Sequence, residues 1–169
     1  RPKKNISENV IDLYTDFLKE KKQQGTVTAR TLQKYNVVFL KYKAYCNKQS
    51  KSHKINELDD DFYVGFLAYL RHTDKLNDNT LARYLVFFKT FVIWCNRKGF
   101  NVNNDYTNVS VKKYESDDVA LNSKEVEILE SADLNGADEK ARDLFLIGVY
   151  SGQRFSDYSV FERADIQGD

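Results

Sequence analysis

The sequence predicts an all-α protein: a four-helix bundle, a linker, and then the first helices of a second, mainly α unit. Three observations predict this. Apolar residues recur at helical spacing through the first hundred positions. The runs open on capping or acidic residues and close on glycine or basic residues. No segment alternates with period two for long enough to make a core strand.

The elements follow in order. "SENVIDLYTDFLKEKKQQG" has a capping residue in Ser7 and a stop in Gly25. Its inward positions are Val10, Leu13, Tyr14, Phe17 and Leu18. "TARTLQKYNVVFLKYKAYCNK" puts Leu32, Tyr35, Phe39, Tyr42 and Cys46 on one face, with Thr28 as its N-cap. "DDDFYVGFLAYLRHT" leads with carboxylates and ends on Arg71-His72, the charge order that the helix dipole favours. "NDNTLARYLVFFKTFVIWCNRKG" turns Leu81, Tyr84, Leu85, Phe88, Phe91, Val92 and Cys95 inward and stops at Gly99. Residues 1–103 are therefore expected to form one helical domain.

Residues 100–120, "FNVNNDYTNVSVKKYESDDVA", lose the helical period and are rich in Asn. The expected interdomain linker is 104–120. Helices resume in 121–169. Asn122 and Glu125 stand at capping-box spacing, although Asn replaces the usual Ser or Thr. "DEKARDLFLIGVY" runs to a break at Ser151-Gly152, and a further helix is expected from near Arg154 through Phe161. There are no internal repeats and no low-complexity tracts.

Composition bounds the function. The chain is 41% hydrophobic and 30% charged, which suits a soluble globular protein with a real core. No apolar run is long enough to span a bilayer, and "RPKKN" leads into no signal-peptide core. The chain has no Met and ends in mid-pattern at "ADIQGD", so it is expected to be a piece of something longer. Its two cysteines, Cys46 and Cys95, lie on apolar helical faces and read as buried thiols rather than metal or redox groups. His53 and His72 have no Cys or carboxylate at ligand spacing and read as surface residues. Asp59, Asp60 and Asp61 abut a helix start, where the dipole already accounts for them. No metal site and no cofactor are expected.

The net charge of +1 hides an asymmetry. Residues 1–58 carry 13 Lys and Arg against 5 Asp and Glu; residues 59–114 carry 8 against 6; residues 115–169 carry 5 against 14. A basic first part points to a polyanion such as nucleic acid, with a lysine-rich solvated surface as the plain alternative. On the second helix Arg30, Lys34 and Lys41 fall within about 40° of one another and away from the Leu32/Phe39 face. On the fourth, Thr80 and Arg83 share a side and Lys89 projects from a neighbouring one. Such faces would set cations on phosphates and a few side chains on base edges. The 11 Tyr and 11 Phe fall mostly at helical spacing, which favours core packing over base stacking.

Arg154 directly follows the break at Gly152. It stands near a helix start, where backbone N–H groups and the dipole favour an anion such as phosphate. Asp157, three residues on, is placed to brace the guanidinium. An ordinary surface Arg–Asp pair fits the same spacing.

"SGQRFSDYSVFERADI" resembles the first-arginine motif of the tyrosine recombinases, the phage-integrase family. Ser151-Gly152, Arg154, Asp157 and Asp165-Ile166 take the motif's places; Gln153 stands where an apolar residue is common. "VALNSKEVEIL" is similar to the opening of the family's catalytic domain, and "NTLARYLVFFKTFVIWCNRKG" resembles the last long helix of its core-binding domain. The resemblance implies a SAM-like core-binding bundle that clamps one face of double-stranded DNA, followed by the start of a catalytic domain. The second and fourth helices, with Thr28, Arg30, Lys34, Lys41, Thr80, Arg83 and Lys89, would face the major groove. Arg154 would bind the scissile phosphate and Asp157 would hold that arginine. A tyrosine would attack the phosphate and form a 3′-phosphotyrosyl link without metal or nucleotide.

The resemblance further implies a prokaryotic, cytoplasmic parent, the integrase of a mobile element, that self-associates as a tetramer on DNA. The family's lysine on a β-hairpin, its His-x-x-Arg pair and its nucleophilic tyrosine all belong after Arg154. No tyrosine present, Tyr158 included, fits the nucleophile's place. The piece is expected to bind DNA and cut nothing. The opposing class is a non-enzymatic helical module that binds DNA or another protein.

Overall fold

The structure, a computed structural model, describes residues 8–115 and 119–161. Those residues form seven α-helices and no strand, the all-α class that the sequence predicts. They divide into two compact units, Arg1–Glu115 and Ser116–Asp169.

The first unit is built from α1 (Val10–Gln24), α2 (Ala29–Gln49), α3 (Asp60–His72) and α4 (Asp78–Arg97). Local chemistry sets each boundary. The N-cap of α1 is Asn9, whose Oδ1 accepts from the Ile11 N–H at 2.9 Å; Ser7 lies outside the described residues. Gly25 ends α1 at φ +62°, a left-handed turn that a residue without Cβ adopts freely. Thr28, Asp59 and Asn77 cap α2, α3 and α4 through their side-chain oxygens. Asp60 and Asp61 then occupy the first turn of α3 and Arg71 and His72 its last, as the dipole favours.

The core of this unit is aromatic. Tyr14, Phe17, Tyr42, Tyr63, Phe88 and Phe91 are fully buried, and Tyr14 stacks on Phe39 at 4.7 Å. Phe88 sits among Tyr14, Tyr42, Phe62, Tyr63, Phe66 and Phe91, so one ring from α4 touches the other three helices. Edge-to-face and offset ring pairs of this kind add to the stabilisation that area burial gives. Cys46 and Cys95 are both free and buried. Burial raises both thiols, Cys95 to about 12, which leaves them as inert packing groups.

His53 corrects the sequence reading. It is 7% exposed, not a surface residue. The loop after α2 tucks it against Tyr45, to which its ring is parallel, and sets its Nδ1 3.2 Å from the Tyr42 hydroxyl. The Val10 N–H donates to the His53 carbonyl at 3.0 Å, which ties the start of α1 to this loop.

The segment expected to link the two domains, 104–120, begins as part of the first unit. Tyr106, Val109 and Val111 pack on its core, and a short 3-10 turn spans Asn104–Thr107. Asn79 then holds Tyr114 by two hydrogen bonds.

The second unit holds α5 (Ser123–Ser131), α6 (Ala137–Ser151) and α7 (Phe155–Tyr158). The Asn122–Glu125 capping box forms in both directions. Gly152 ends α6 at φ +63°. The next helix is shorter than expected: it stops at Tyr158 rather than at Phe161. Gly148 explains where Tyr158 goes. A Cβ there would lie 2.6 Å from the Tyr158 ring, so only glycine lets the ring close on α6. No side chain of α5, α6 or α7 is fully buried. Phe145, Ile147, Tyr150 and Phe155 remain exposed.

Candidate nucleic-acid interface

Helices α2 and α4 bury one face each and turn the other outward, and between their outward faces lies a concavity of about 240 Å³. Gln33, Lys34 and Val37 of α2 line it, with Thr80, Arg83, Tyr84 and Phe87 of α4. The structure thus brings together three of the seven residues expected to meet DNA: Lys34, Thr80 and Arg83. Each arrives by helical phase, because the inward positions Tyr35 and Val38 of α2, and Leu81, Leu85 and Phe88 of α4, fix the rotation of each helix against the core.

The cations differ in what already holds them. Arg30 and Arg83 are exposed, and neither guanidinium makes an ion pair or hydrogen bond among the described residues. The Lys34 ammonium lies 6.0 Å from the centre of the Phe87 ring and has no carboxylate partner among the described residues. Lys41, by contrast, pairs with Asp74 at 3.1 Å. Lys89 is half-buried and donates to the Val109 carbonyl. Desolvation holds its ammonium below the ordinary lysine range. Thr28 spends its hydroxyl on the N-cap, accepting from the Thr31 N–H at 3.2 Å. Of the five cations expected to meet DNA, Arg30, Lys34 and Arg83 are therefore the ones without an ion-pair or hydrogen-bond partner among the described residues. Lys41 and Lys89 lie on the expected helices but are engaged within the fold.

Sequence reasoning missed Gln33, Val37 and Phe87 and placed Tyr84 in the core. Tyr84 is half-buried and lines the concavity. The missing signal was available. Val37 and Phe87 stand three or four residues beyond Lys34 and Arg83, so they share those residues' sides of the helices.

In the second unit Arg154 is the N-cap of α7 and is exposed. Asp157 reaches it through the backbone: the Asp157 N–H donates to the Arg154 carbonyl at 2.8 Å. Their side chains form no ion pair among the described residues, and the Asp157 carboxylate accepts from the Ser156 hydroxyl at 3.1 Å. Asp165 and Ile166, the end of the expected arginine motif, lie outside the described residues. Among the described residues no group of His, Cys, Asp and Glu could hold a metal ion, and no helix is long and apolar enough to cross a membrane.

Among the described residues, the bundle sets two cations without a hydrogen-bond or ion-pair partner, Lys34 and Arg83, beside the groove between α2 and α4, and Arg30 stands one turn before Lys34 on α2. The chain belongs to the phage integrase SAM-like domain family, whose model matches residues 9–122. The matched span takes in all four helices of the first unit and the concavity between α2 and α4. The chain is thus an integrase-family domain, which implies interaction with DNA. No curated protein and no solved structure matches it.

Proposed function

We propose that this chain is the DNA-gripping part of a site-specific tyrosine recombinase, an integrase that cleaves and rejoins DNA through a 3′-phosphotyrosyl intermediate. The observation that carries the reading is the pair Lys34 and Arg83 beside one groove, with Arg30 one turn before Lys34 on α2, all three without an ion pair among the described residues, on a chain of integrase-family type. In this reading residues 1–103 are the core-binding domain, 104–120 lead out of it, and 121–169 open the catalytic domain. Duplex DNA lies against α2 and α4. The three cations displace condensed counterions from its phosphates, and this release supplies most of the affinity. Lys41, Lys89 and Thr28 support the face from behind, through Asp74, Val109 and the α2 cap.

Arg154 takes the scissile phosphate. Its planar fork matches two non-bridging oxygens, and after the Gly152 turn its side chain meets no carboxylate among the described residues. Asp157 acts on it as a positioning residue through α7. Nucleophilic attack, proton transfer and assembly into a tetramer on DNA call for groups besides these two.

Salt-dependent binding to duplex DNA tests the reading. The logarithm of affinity should fall linearly with the logarithm of salt concentration. Arg30→Ala with Lys34→Ala should shallow the slope by about two, and Lys41→Ala should leave it unchanged. Binding without any salt slope, or no binding at low salt, would favour a helical protein-interaction module instead.

A further inference from the structure

The concavity between α2 and α4 contains a carboxamide that phosphate binding does not require. Gln33 is exposed, lines the concavity beside Lys34 and Arg83, and makes no hydrogen bond among the described residues. Gln33 is the one carboxamide that lines this concavity. A phosphate presents acceptors only, which the adjacent cations already serve. A carboxamide presents a donor and an acceptor side by side, the complement of the N7 and N6 edge of adenine. A guanidinium likewise matches O6 and N7 of guanine.

Position along the helices agrees with this chemistry. Gln33 lies in the second turn of α2, which begins at Ala29, and Arg83 in the second turn of α4, which begins at Asp78. The N-terminal turns of a helix set in the major groove are the part that meets base edges. Val37, Thr80, Tyr84 and Phe87 line the concavity with them, and among the described residues neither Gln33 nor Arg83 makes a side-chain hydrogen bond to these neighbours.

We infer that Gln33 and Arg83 are the sequence-reading pair of this domain, Gln33 for an adenine edge and Arg83 for a guanine edge of duplex DNA. The inference rests on the proposed DNA-gripping role. It adds that the groove discriminates between sequences rather than only holding phosphates.

The test is selection by the full chain from a pool of duplexes randomised over about two helical turns, repeated with Gln33→Ala, Gln33→Glu and Arg83→Ala. The wild-type chain should select a consensus containing an adenine and a guanine. Gln33→Ala should lose the adenine preference, about ten-fold in affinity, with melting temperature and salt slope unchanged. Gln33→Glu should move that position toward cytosine, whose N4 amino group a carboxylate accepts from. Arg83→Ala should lose the guanine preference and shallow the salt slope by about one. A Gln33→Ala consensus identical to wild type overturns the inference. Salt-dependent binding with no wild-type consensus overturns it too, and leaves the DNA-gripping role standing. No duplex binding at low salt overturns both.

Discussion

Asn79 and Tyr114 clasp one another across 35 residues: the Asn79 amide donates to the Tyr114 carbonyl at 2.8 Å, and the Tyr114 N–H donates to Asn79 Oδ1 at 2.9 Å. Asn79 precedes Thr80 on α4, so the chain leaves the first unit next to the helix start that flanks the groove. The clasp is exposed, and each bond is worth about 1 kcal/mol or less.

Asn79→Ala should therefore free the strap without unfolding the bundle. Trypsin should cut after Lys112 and Lys113 several-fold faster, while the melting temperature changes little. Unchanged cleavage would show that Val109 and Val111, packed on the core, hold the strap alone.

Gly65 tests packing between α3 and α2. A Cβ there would lie 2.7 Å from the Tyr45 hydroxyl, and Tyr45 is buried. Two effects oppose each other in Gly65→Ala: overpacking costs about 1–3 kcal/mol, and helix propensity returns about 1 kcal/mol. Overpacking should win in the wild-type background. In a Tyr45→Phe background the clashing oxygen is gone, and Gly65→Ala should become neutral or stabilising. Denaturant melts of the four proteins check the sign change.

His53 makes stability depend on pH. Burial, then Lys51, lowers its tendency to protonate; Glu57 and Asp59 oppose this. The unfolded chain thus takes up a proton near the ordinary value of 6.5, while the folded chain resists it. Stability is complete above that value and falls as pH drops below it. The Tyr42 hydroxyl and the Cys46 thiol also face the ring, and burial keeps both neutral across this range. Melting temperatures between pH 7.5 and 5.5 should fall in the wild type and flatten in His53→Phe. Parallel curves would rule His53 out as the titrating group.

Gly148→Ala should loosen α7. The added methyl meets the Tyr158 ring, and α7 is only four residues long. The N–H groups of Asp157, Tyr158 and Ser159 close this helix onto Arg154 and Phe155. Their hydrogen exchange should rise at least ten-fold, with α5 protection unchanged. Unchanged exchange would mean that Tyr158 does not anchor the turn that presents Arg154.

Much of this was legible because it is local. Gly25, Thr28, Asp59, the Asn122–Glu125 box and Gly152 sit where their own backbone chemistry sends them, and helical spacing assigns Tyr14, Phe17 and Phe88 to the core. The cations were not legible to the same depth. Arg30, Lys34 and Lys41 are equivalent on a helical projection, yet only Lys41 finds Asp74, from the loop after α3. Lys89 is taken by Val109 in the same way. His53 looks like a loop histidine until α2 and α3 close over it.

The sequence by itself determined the helical class, most of the helix boundaries, the aromatic core and the basic character of the first part, because caps, periodicity and charge act over a few residues. Tertiary structure alone decided which cations stay free, that Gln33 joins them, and that His53 is buried. Those outcomes depend on partners twenty or more residues away in the chain, or on other helices, which only the packing of α1–α4 brings within reach.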